Sequence, residues 1–489
     1  MESVDVAIIG SGFGGLAMAH ALTEAGIGPL VILEKGDRVG GTWRDNTYPG
    51  AACDVTSALY SLSFAPHVWT RKYPQQAEIL AYIDGVVETF NMAPLLRFGA
   101  EVDTAVFDEG AQRWRLTMVD GTSIDARVVV SAVGQLNTPA YPAVPGLGTF
   151  AGPAFHSARW DHEVTLANQR VGIIGTGASV IQFGPRVAKT AASTVIFQRS
   201  APYVLPKPDP ITPSWKRRLY GALPATQLPA RFKNFALNEV FTAAILGNER
   251  LRERVKAQWA ASMRSMITDP ALRAACTPDY ELGCKRVLIA DDWYPTLASA
   301  SVEVVTNPIA SIDAEGVTTE DGTHHDLDVL IYGTGFQATD FLTPMTVVGR
   351  GGLTLAERWS DGASAYRGVA VSGFPNLFLL YGPNTNLGSN SIVYMLESQA
   401  AYIAGLLTAA KRADVGSVEV RPVVEASWAS MIAEKSRSTA WVTGCHSWYT
   451  SNGRNTNNWP DATWRYRQAI KEIDLLDYEA RPAITAGVS

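Results

Sequence analysis

Two stretches of the chain repeat one order of apolar and polar positions. Val4 to Ile9 is a short, mostly apolar run that leads straight into Gly10-Ser11-Gly12-Phe13-Gly14-Gly15. A helical pattern follows at Leu16, Ala17, Ala19 and Leu22, and a second apolar run, Leu30-Val31-Ile32-Leu33, ends at Glu34. The same order returns at Val171-Gly172-Ile173-Ile174, Gly175-Thr176-Gly177-Ala178-Ser179, a helix, and Thr194-Val195-Ile196-Phe197. Each predicts a βαβ unit of about thirty residues with a glycine turn after its first strand. An α/β fold with two Rossmann-like, dinucleotide-binding domains is expected.

The remaining pattern supplies the organisation. Residues 128–134 and 329–335 read as strands that close the first and second units, and Asn137-Thr138-Pro139, Pro142 and Pro145 read as a linker. From Pro210 the texture becomes helical and charge-rich, with Arg250, Arg252, Glu253, Arg254 and Lys256 among Leu251, Val255 and Trp259. That predicts a helical insertion in the second domain. The expected partition is 1–140 for the first domain, 141–209 for the second, 210–283 for the insertion, 284–381 for the return to the second, and 382–489 for the return to the first.

The turns differ in their chemistry. Gly10-x-Gly12-x-x-Gly15 opens a helix, whose free N–H groups and dipole favour a pyrophosphate. Glu34, at the end of the second strand, can accept from ribose hydroxyls, which suits FAD or NAD. After Phe197 the chain reads Gln198-Arg199-Ser200, with no carboxylate. An arginine there can pair with a 2′-phosphate and favours NADPH. In the second unit Val180 follows Ser179 where a third glycine is usual. FAD would carry the redox chemistry and NADPH the hydride.

Composition narrows the class. In 489 residues, 41 basic and 47 acidic side chains give a net charge of −6, without the basic excess of a nucleic-acid binder. Cys53, Cys276, Cys284 and Cys445 form no C-x-x-C pair, which points to a reducing cytoplasm. No basic start precedes an h-region, and the charge-free stretch 374–396 is broken by Pro375, Pro383 and several Asn, so no stable membrane insertion is expected. No zinc-protease, serine-hydrolase or P-loop motif is present. His324-His325 reads as an exposed hairpin rather than a metal site. Trp215-Lys216-Arg217-Arg218 could touch anionic lipid or a partner, though a solvated face is commoner. The aromatics Trp441, Trp448, Tyr449, Trp459 and Trp464 either line an entrance or pack a core.

Beyond Glu34 come Gly40-Gly41-Thr42-Trp43 and Tyr48-Pro49-Gly50-Ala51-Ala52-Cys53-Asp54. Cys53 has no nearby partner, so dithiol chemistry is disfavoured. The run Gly41-x-Trp43, Tyr48-Pro49-Gly50 and Asp54 resembles one fingerprint of class B flavoprotein monooxygenases of the Baeyer–Villiger type. Phe150-x-Gly152-x-x-x-His156-x-x-x-Trp160-Asp161 resembles the second. The related N- and S-oxygenating flavin monooxygenases differ at Trp160-Asp161, and a heteroatom oxygenase is the alternative reading.

The resemblance implies an NADPH- and O2-dependent conversion of a ketone or aldehyde to an ester or lactone through a C4a-peroxyflavin, by a monomer or homodimer. It makes Asp54 and Arg286 the catalytic candidates, with Arg286 beside the flavin and Asp54 its counter-charge. Lys285 would help hold the 2′-phosphate. Ser447-Trp448-Tyr449 resembles a C-terminal segment whose tryptophan approaches the nicotinamide ribose. Residues 382–391, with Asn390 and Ser391, resemble the loop and helix start beneath the isoalloxazine, and His156 is implied to act in domain rearrangement. Gly333-Thr334-Gly335 stands where Ala-Thr-Gly is usual. The full set of expected cofactor-binding positions adds Phe13, Gly14, Lys35, Tyr60, Val102, Gln182 and Ser200 to the turn residues already named.

Overall fold

The computed structural model describes residues 2–339, 341–442, 449–451 and 453–483. Its first repeat forms the middle of an eight-stranded sheet. Strand Glu2–Ile9 lies parallel to both Leu30–Leu33 and Ser123–Ser131, with Val6 opposite Leu30 and Val128. Both faces of its C-terminal half are covered, which is why that half is an unbroken apolar run. Val102–Asp108 and Arg113–Met118 extend the sheet as antiparallel strands beyond Ser123–Ser131. The second repeat centres a five-stranded, all-parallel sheet in the order Val302–Val305, Ser193–Phe197, Arg170–Ile174, Val329–Tyr332, Ala154–His156. The expected α/β architecture, with two Rossmann-type units, is the one observed.

The chain re-enters the first sheet earlier than residue 382. Thr346–Val348 pairs with Val102–Asp108, and Leu377–Leu379 pairs with Ser123–Ser131. Both strands are three residues long, too short to carry a readable alternation. Helices Ser214–Ala222, Leu228–Ile245, Glu249–Met266 and Pro270–Ala275 fill the insertion. Asn248 caps the third by accepting from the Leu251 N–H, and Asp269 caps the last. Helix Ile392–Arg412 is long and apolar enough to cross a membrane, yet most of it is buried and it packs on Phe13–Glu24.

Two connections between the units run side by side. The Ala140 N–H donates to the Gly335 carbonyl at 2.9 Å, and the Gln337 N–H to the Thr138 carbonyl at 3.0 Å. Thr334 Oγ1 adds a bond to the Ala140 carbonyl at 2.5 Å.

The same junction explains two departures from the usual sequence. A Cβ on Gly333 would lie 2.1 Å from Val180 Cγ2. Valine at the third-glycine position of the second turn therefore requires glycine, not alanine, at the end of the facing strand. We expect Gly333→Ala to cost about 1–3 kcal/mol in urea unfolding and to cost much less in a Val180→Ala background, where the clashing methyl is gone. Additive effects of the two substitutions would contradict the coupling.

Candidate active site

The two glycine turns share one geometry. Gly10 has φ +104°, and a Cβ there would sit 2.6 Å from the Ala132 carbonyl oxygen. A Cβ on Gly15 would strike the Gly10 carbonyl at 1.9 Å. Gly12 has no such neighbour, its nearest atom being the Gly41 Cα at 4.0 Å. Two glycines thus close the turn, and the one between them leaves the helix N-terminus open to a diphosphate. At the second turn, Gly175 has φ +109° and a Cβ there would lie 2.4 Å from the Gly333 carbonyl oxygen, while Gly177 is again open. Thr176, Ala178 and Ser179 complete that approach to the helix Val180–Ala188.

Glu34 is buried beside the first turn. Its Oε2 accepts from the Ser11 N–H at 3.0 Å and Ser11 Oγ at 2.6 Å, and its Oε1 from the Gly36 N–H at 2.8 Å and Arg44 Nη1 at 2.6 Å. Burial alone would raise its pKa; the hydrogen bonds from Ser11, Arg44 and Gly36 and the Arg44 charge outweigh that and hold it low. The carboxylate is therefore ionised, with all four of its acceptor directions in use, so ribose hydroxyls would replace Ser11 Oγ or Arg44. Arg44 was invisible to the sequence reading, since nothing in its spacing ties it to Glu34. Lys35 is exposed next to this group. Trp43 Nε1 donates to Tyr60 Oη at 2.9 Å, and the Tyr60 ring lies 5.2 Å from Phe13, which joins three expected flavin-side residues; Gly14 packs near Leu380 and Leu396. Gly41 and Thr42 start the short helix Thr42–Asp45. Val102 is different: it pairs with Met118 and sits in the sheet's apolar core.

The second site gathers cations. Lys285 Nζ donates to Ser200 Oγ at 2.6 Å, and Thr176 Oγ1 to the Ser200 carbonyl at 3.0 Å. Burial, and then the charge of neighbouring Arg199, lowers the Lys285 pKa. Among the described residues no carboxylate forms an ion pair with either cation. Two adjacent positive groups and a hydroxyl fit a 2′-phosphate.

Both fingerprints converge on Phe183, on the helix of the second turn. The Tyr48 ring lies 5.8 Å from it and the Trp160 ring 5.2 Å. Tyr48 Oη donates to Gln182 Oε1 at 3.1 Å, the Ala52 N–H donates to the same atom at 3.2 Å, and Gln182 Nε2 returns a bond to the Ala52 carbonyl at 3.0 Å. Gly50, with φ +85°, leaves room for Arg186, whose Nε would be 2.1 Å from a Cβ there. Tyr48 and Gln182 therefore dock the two units together. His156 accepts the Ala158 N–H at Nδ1, and burial pushes its pKa down to about 4, so it stays neutral near pH 7.

Two residues beyond Ala52, Asp54 meets Arg286. Arg286 Nε donates to Asp54 Oδ2 at 2.6 Å, Nη2 to Oδ1 at 2.8 Å, and Nη1 to the Leu387 carbonyl at 3.2 Å. About a quarter of each side chain, 27% and 25%, stays accessible. Burial opposes ionisation of Asp54, but the Arg286 charge and hydrogen bonds hold its pKa low. The pairing raises that of Arg286 despite burial. Lys207, which the sequence did not flag, adds a second positive charge near Asp54, its own pKa lowered mainly by burial. Tyr381 and Tyr449 lie within electrostatic reach of the guanidinium, and burial pushes the Tyr449 hydroxyl up to about 12. Asn390 Nδ2 donates to Glu239, while Ser391 caps helix Ile392–Arg412 and donates to the Leu59 carbonyl. Trp448 lies outside the described residues. Of the C-terminal aromatics that are described, Trp441, Tyr449 and Trp459 are buried and Trp464 is exposed.

The chain is 43% identical over 490 residues to a Baeyer–Villiger monooxygenase of Streptomyces coelicolor, covering 99% of this chain and 94% of that one. It is 40% identical to one of Pseudomonas aeruginosa, with 99% and 93% covered. The chain belongs to the Baeyer–Villiger monooxygenases. A family model described as pyridine nucleotide-disulphide oxidoreductase matches residues 7–233. Within it Cys53 is a free, buried cysteine whose pKa is raised by burial, unlike a reactive dithiol. Among solved structures, an oxidised steroid monooxygenase bound to NADP superposes with TM-score 0.88 at 31% identity, covering 98% and 99% of the two chains. A closed cyclohexanone monooxygenase gives 0.89 at 29%, covering 99% and 100%. This Baeyer–Villiger monooxygenase uses FAD and NADPH, and the open glycine cradles, Glu34 and the Arg199–Lys285 pair fit them.

The lowered Lys285 pKa gives a signed prediction. A bound phosphate favours the charged lysine, so affinity is full below the free-enzyme pKa and falls as pH rises through it. KM for NADPH should climb in alkali, starting below the usual lysine value of about 10.4, while KM for NADH stays flat. Lys285→Arg, charged throughout, should flatten the NADPH profile; an unchanged slope would place the titrating group elsewhere.

Proposed function

We propose that the enzyme inserts one atom of O2 beside the carbonyl of a ketone or aldehyde, giving an ester or lactone, with Arg286 and Asp54 as its catalytic residues. A monomer or homodimer in the cytoplasm belongs to this reading, as does a partition in which FAD is held by residues 1–140 and the C-terminal return and NADPH by the second unit. The observation that carries it is the two-pronged Asp54–Arg286 contact. Bound FAD, reduced by NADPH, supplies the activated oxygen. A guanidinium has five N–H donors and never loses its proton near neutrality. Three are engaged by Asp54 and Leu387. Among the described residues the other two form no hydrogen bond, and they can receive negative charge that develops on oxygen. Asp54 fixes the plane of the guanidinium and offsets the cost of burying it. Leu387, from the loop before helix Ile392–Arg412, sets its third direction. Arg199, Ser200 and Lys285 hold the nicotinamide cofactor by its phosphate.

A second reading has one relative behind it: a phenazine N-monooxygenase of Lysobacter antibioticus is 31% identical over 97% of this chain. Incubating the holoenzyme with a ketone, an aromatic amine, NADPH and ¹⁸O2 separates the two. Label in an ester is expected, and label confined to an N-oxide would replace the proposal. Arg286→Ala should keep anaerobic flavin reduction while ester formation drops about 10²–10³-fold. Arg286→Lys should be nearly as poor, since an ammonium cannot hold the planar two-point contact. Wild-type oxygenation in either variant would refute the role.

A further inference from the structure

We propose that the helical insertion docks this enzyme on anionic lipid membranes. Helix Leu228–Ile245 carries polar side chains among Phe235, Phe241 and Ile245 on its protein-facing side and large apolar ones on its open side. Arg231, Asn234, Asn238, Glu239 and Thr242 lie on its half-buried side, where Arg231 bonds to the Ser61 carbonyl, Glu239 to Asn390, and Thr242 to Ser389. The opposite side, with Leu228, Phe232, Leu237 and Val240, is open to solvent. The spacing puts these four within one half of the helix circumference, with Lys233 among them. The preceding helix repeats the design: Trp215, Arg218, Leu219 and Ala222 share an exposed face that runs on to Leu223. Trp215 is 67% exposed, Leu228 62% and Phe232 74%. Large side chains exposed singly are ordinary, but a run of them along two helices within residues 215–240 marks a contact surface.

Charge selects the occupant. Residues 210–238 contain Lys216, Arg217, Arg218, Arg231 and Lys233 and no acid, in a chain of net charge −6; the first acid of the helix, Glu239, is taken up by Asn390 and the Thr463 N–H. Among the described residues, Lys216, Arg217, Arg218 and Lys233 form no ion pair. A second copy meeting this face by two-fold symmetry would set cations against cations, because such a contact joins the same patch to itself. An anionic lipid surface meets both demands, with phosphates for the cations and hydrocarbon for Trp215, Leu228 and Phe232. Leu228 and Phe232 also line a cleft of about 320 Å³ with Leu59, Phe235 and Tyr394, an apolar recess continuous with the face. Arg231 and Arg467 stand at this cleft beside Glu397, which accepts the Ser63 N–H and lies 3.9 Å from Arg231.

Flotation of the FAD-loaded, full-length enzyme tests this, using vesicles of phosphatidylcholine with or without about 30 mol % phosphatidylglycerol. Binding to the anionic vesicles should be at least about tenfold tighter at ~50 mM than at ~500 mM NaCl, and weak on phosphatidylcholine alone. Arg218→Gln with Lys233→Gln, and separately Trp215→Ser with Phe232→Ser, should each weaken it about fivefold or more, with turnover of a water-soluble ketone within about twofold. Absence of binding to anionic vesicles, or equal binding by both double variants, overturns the proposal. So does a lipid-free dimer, seen by light scattering, that Trp215→Ser with Phe232→Ser dissolves, because the face would then be a self-contact.

Discussion

One ion pair across the junction of the two nucleotide units sets the terms for the rest of the structure. Asp54 comes from the loop that follows the first turn, and Arg286 from the chain after the insertion, 232 residues later. An arginine taken out of water is costly unless a carboxylate meets it with good geometry. The contact here has two prongs and a third bond to a carbonyl. Such geometry survives only if the units cannot drift apart by an ångström. That requirement accounts for the density of contacts around it: Gln182 clasping Ala52, Tyr48 on Phe183, and the paired linkers at Thr138–Ala140 and Gly335–Gln337.

The fingerprints acquire a physical meaning in that light. Tyr48 and Gly50 receive the helix of the second turn. Trp160, from the second unit itself, packs on the same phenylalanine. Gly152 is needed because a Cβ there would fall 2.4 Å from the Asp328 carbonyl oxygen. Tyr48, Gly50 and Asp54 are set by fit between the units and Gly152 and Trp160 by fit within the second, so the long, irregular spacing pattern records packing contacts more than reactive groups.

This also explains what could and could not be read from the sequence. The glycine turns, Glu34 and the strands beside them were legible because strand, turn and helix lie within thirty residues and obey local rules. Arg199 and Ser200 were legible for the same reason. The bond from Arg44 to Glu34, the Gln182 clasp and the charge of Lys207 near Asp54 join distant segments whose register no periodicity encodes. The return to the first sheet was placed too late because two three-residue strands carry no alternation. The Gly333–Val180 pair shows the intermediate case. Each residue was noticed as a departure, but only the packing shows that one departure requires the other.

Lys285 and Arg286 are neighbours with separate partners, Ser200 and Asp54, and the backbone around them shows how both are kept in place. Leu288–Ile289 pairs in parallel with Val204–Leu205, Val204 opposite Leu288. Ser200 precedes Val204 by four residues, and Lys285 precedes Leu288 by three. A short two-stranded ribbon therefore fixes the register between the hydroxyl and the ammonium at one end. The next residue carries the guanidinium across to the first unit. Sliding this ribbon by one residue would turn side chains to the opposite face and break the Lys285–Ser200 and Arg286–Asp54 contacts together. The Lys285–Ser200 contact and the ion pair are thus linked through one short strand pairing.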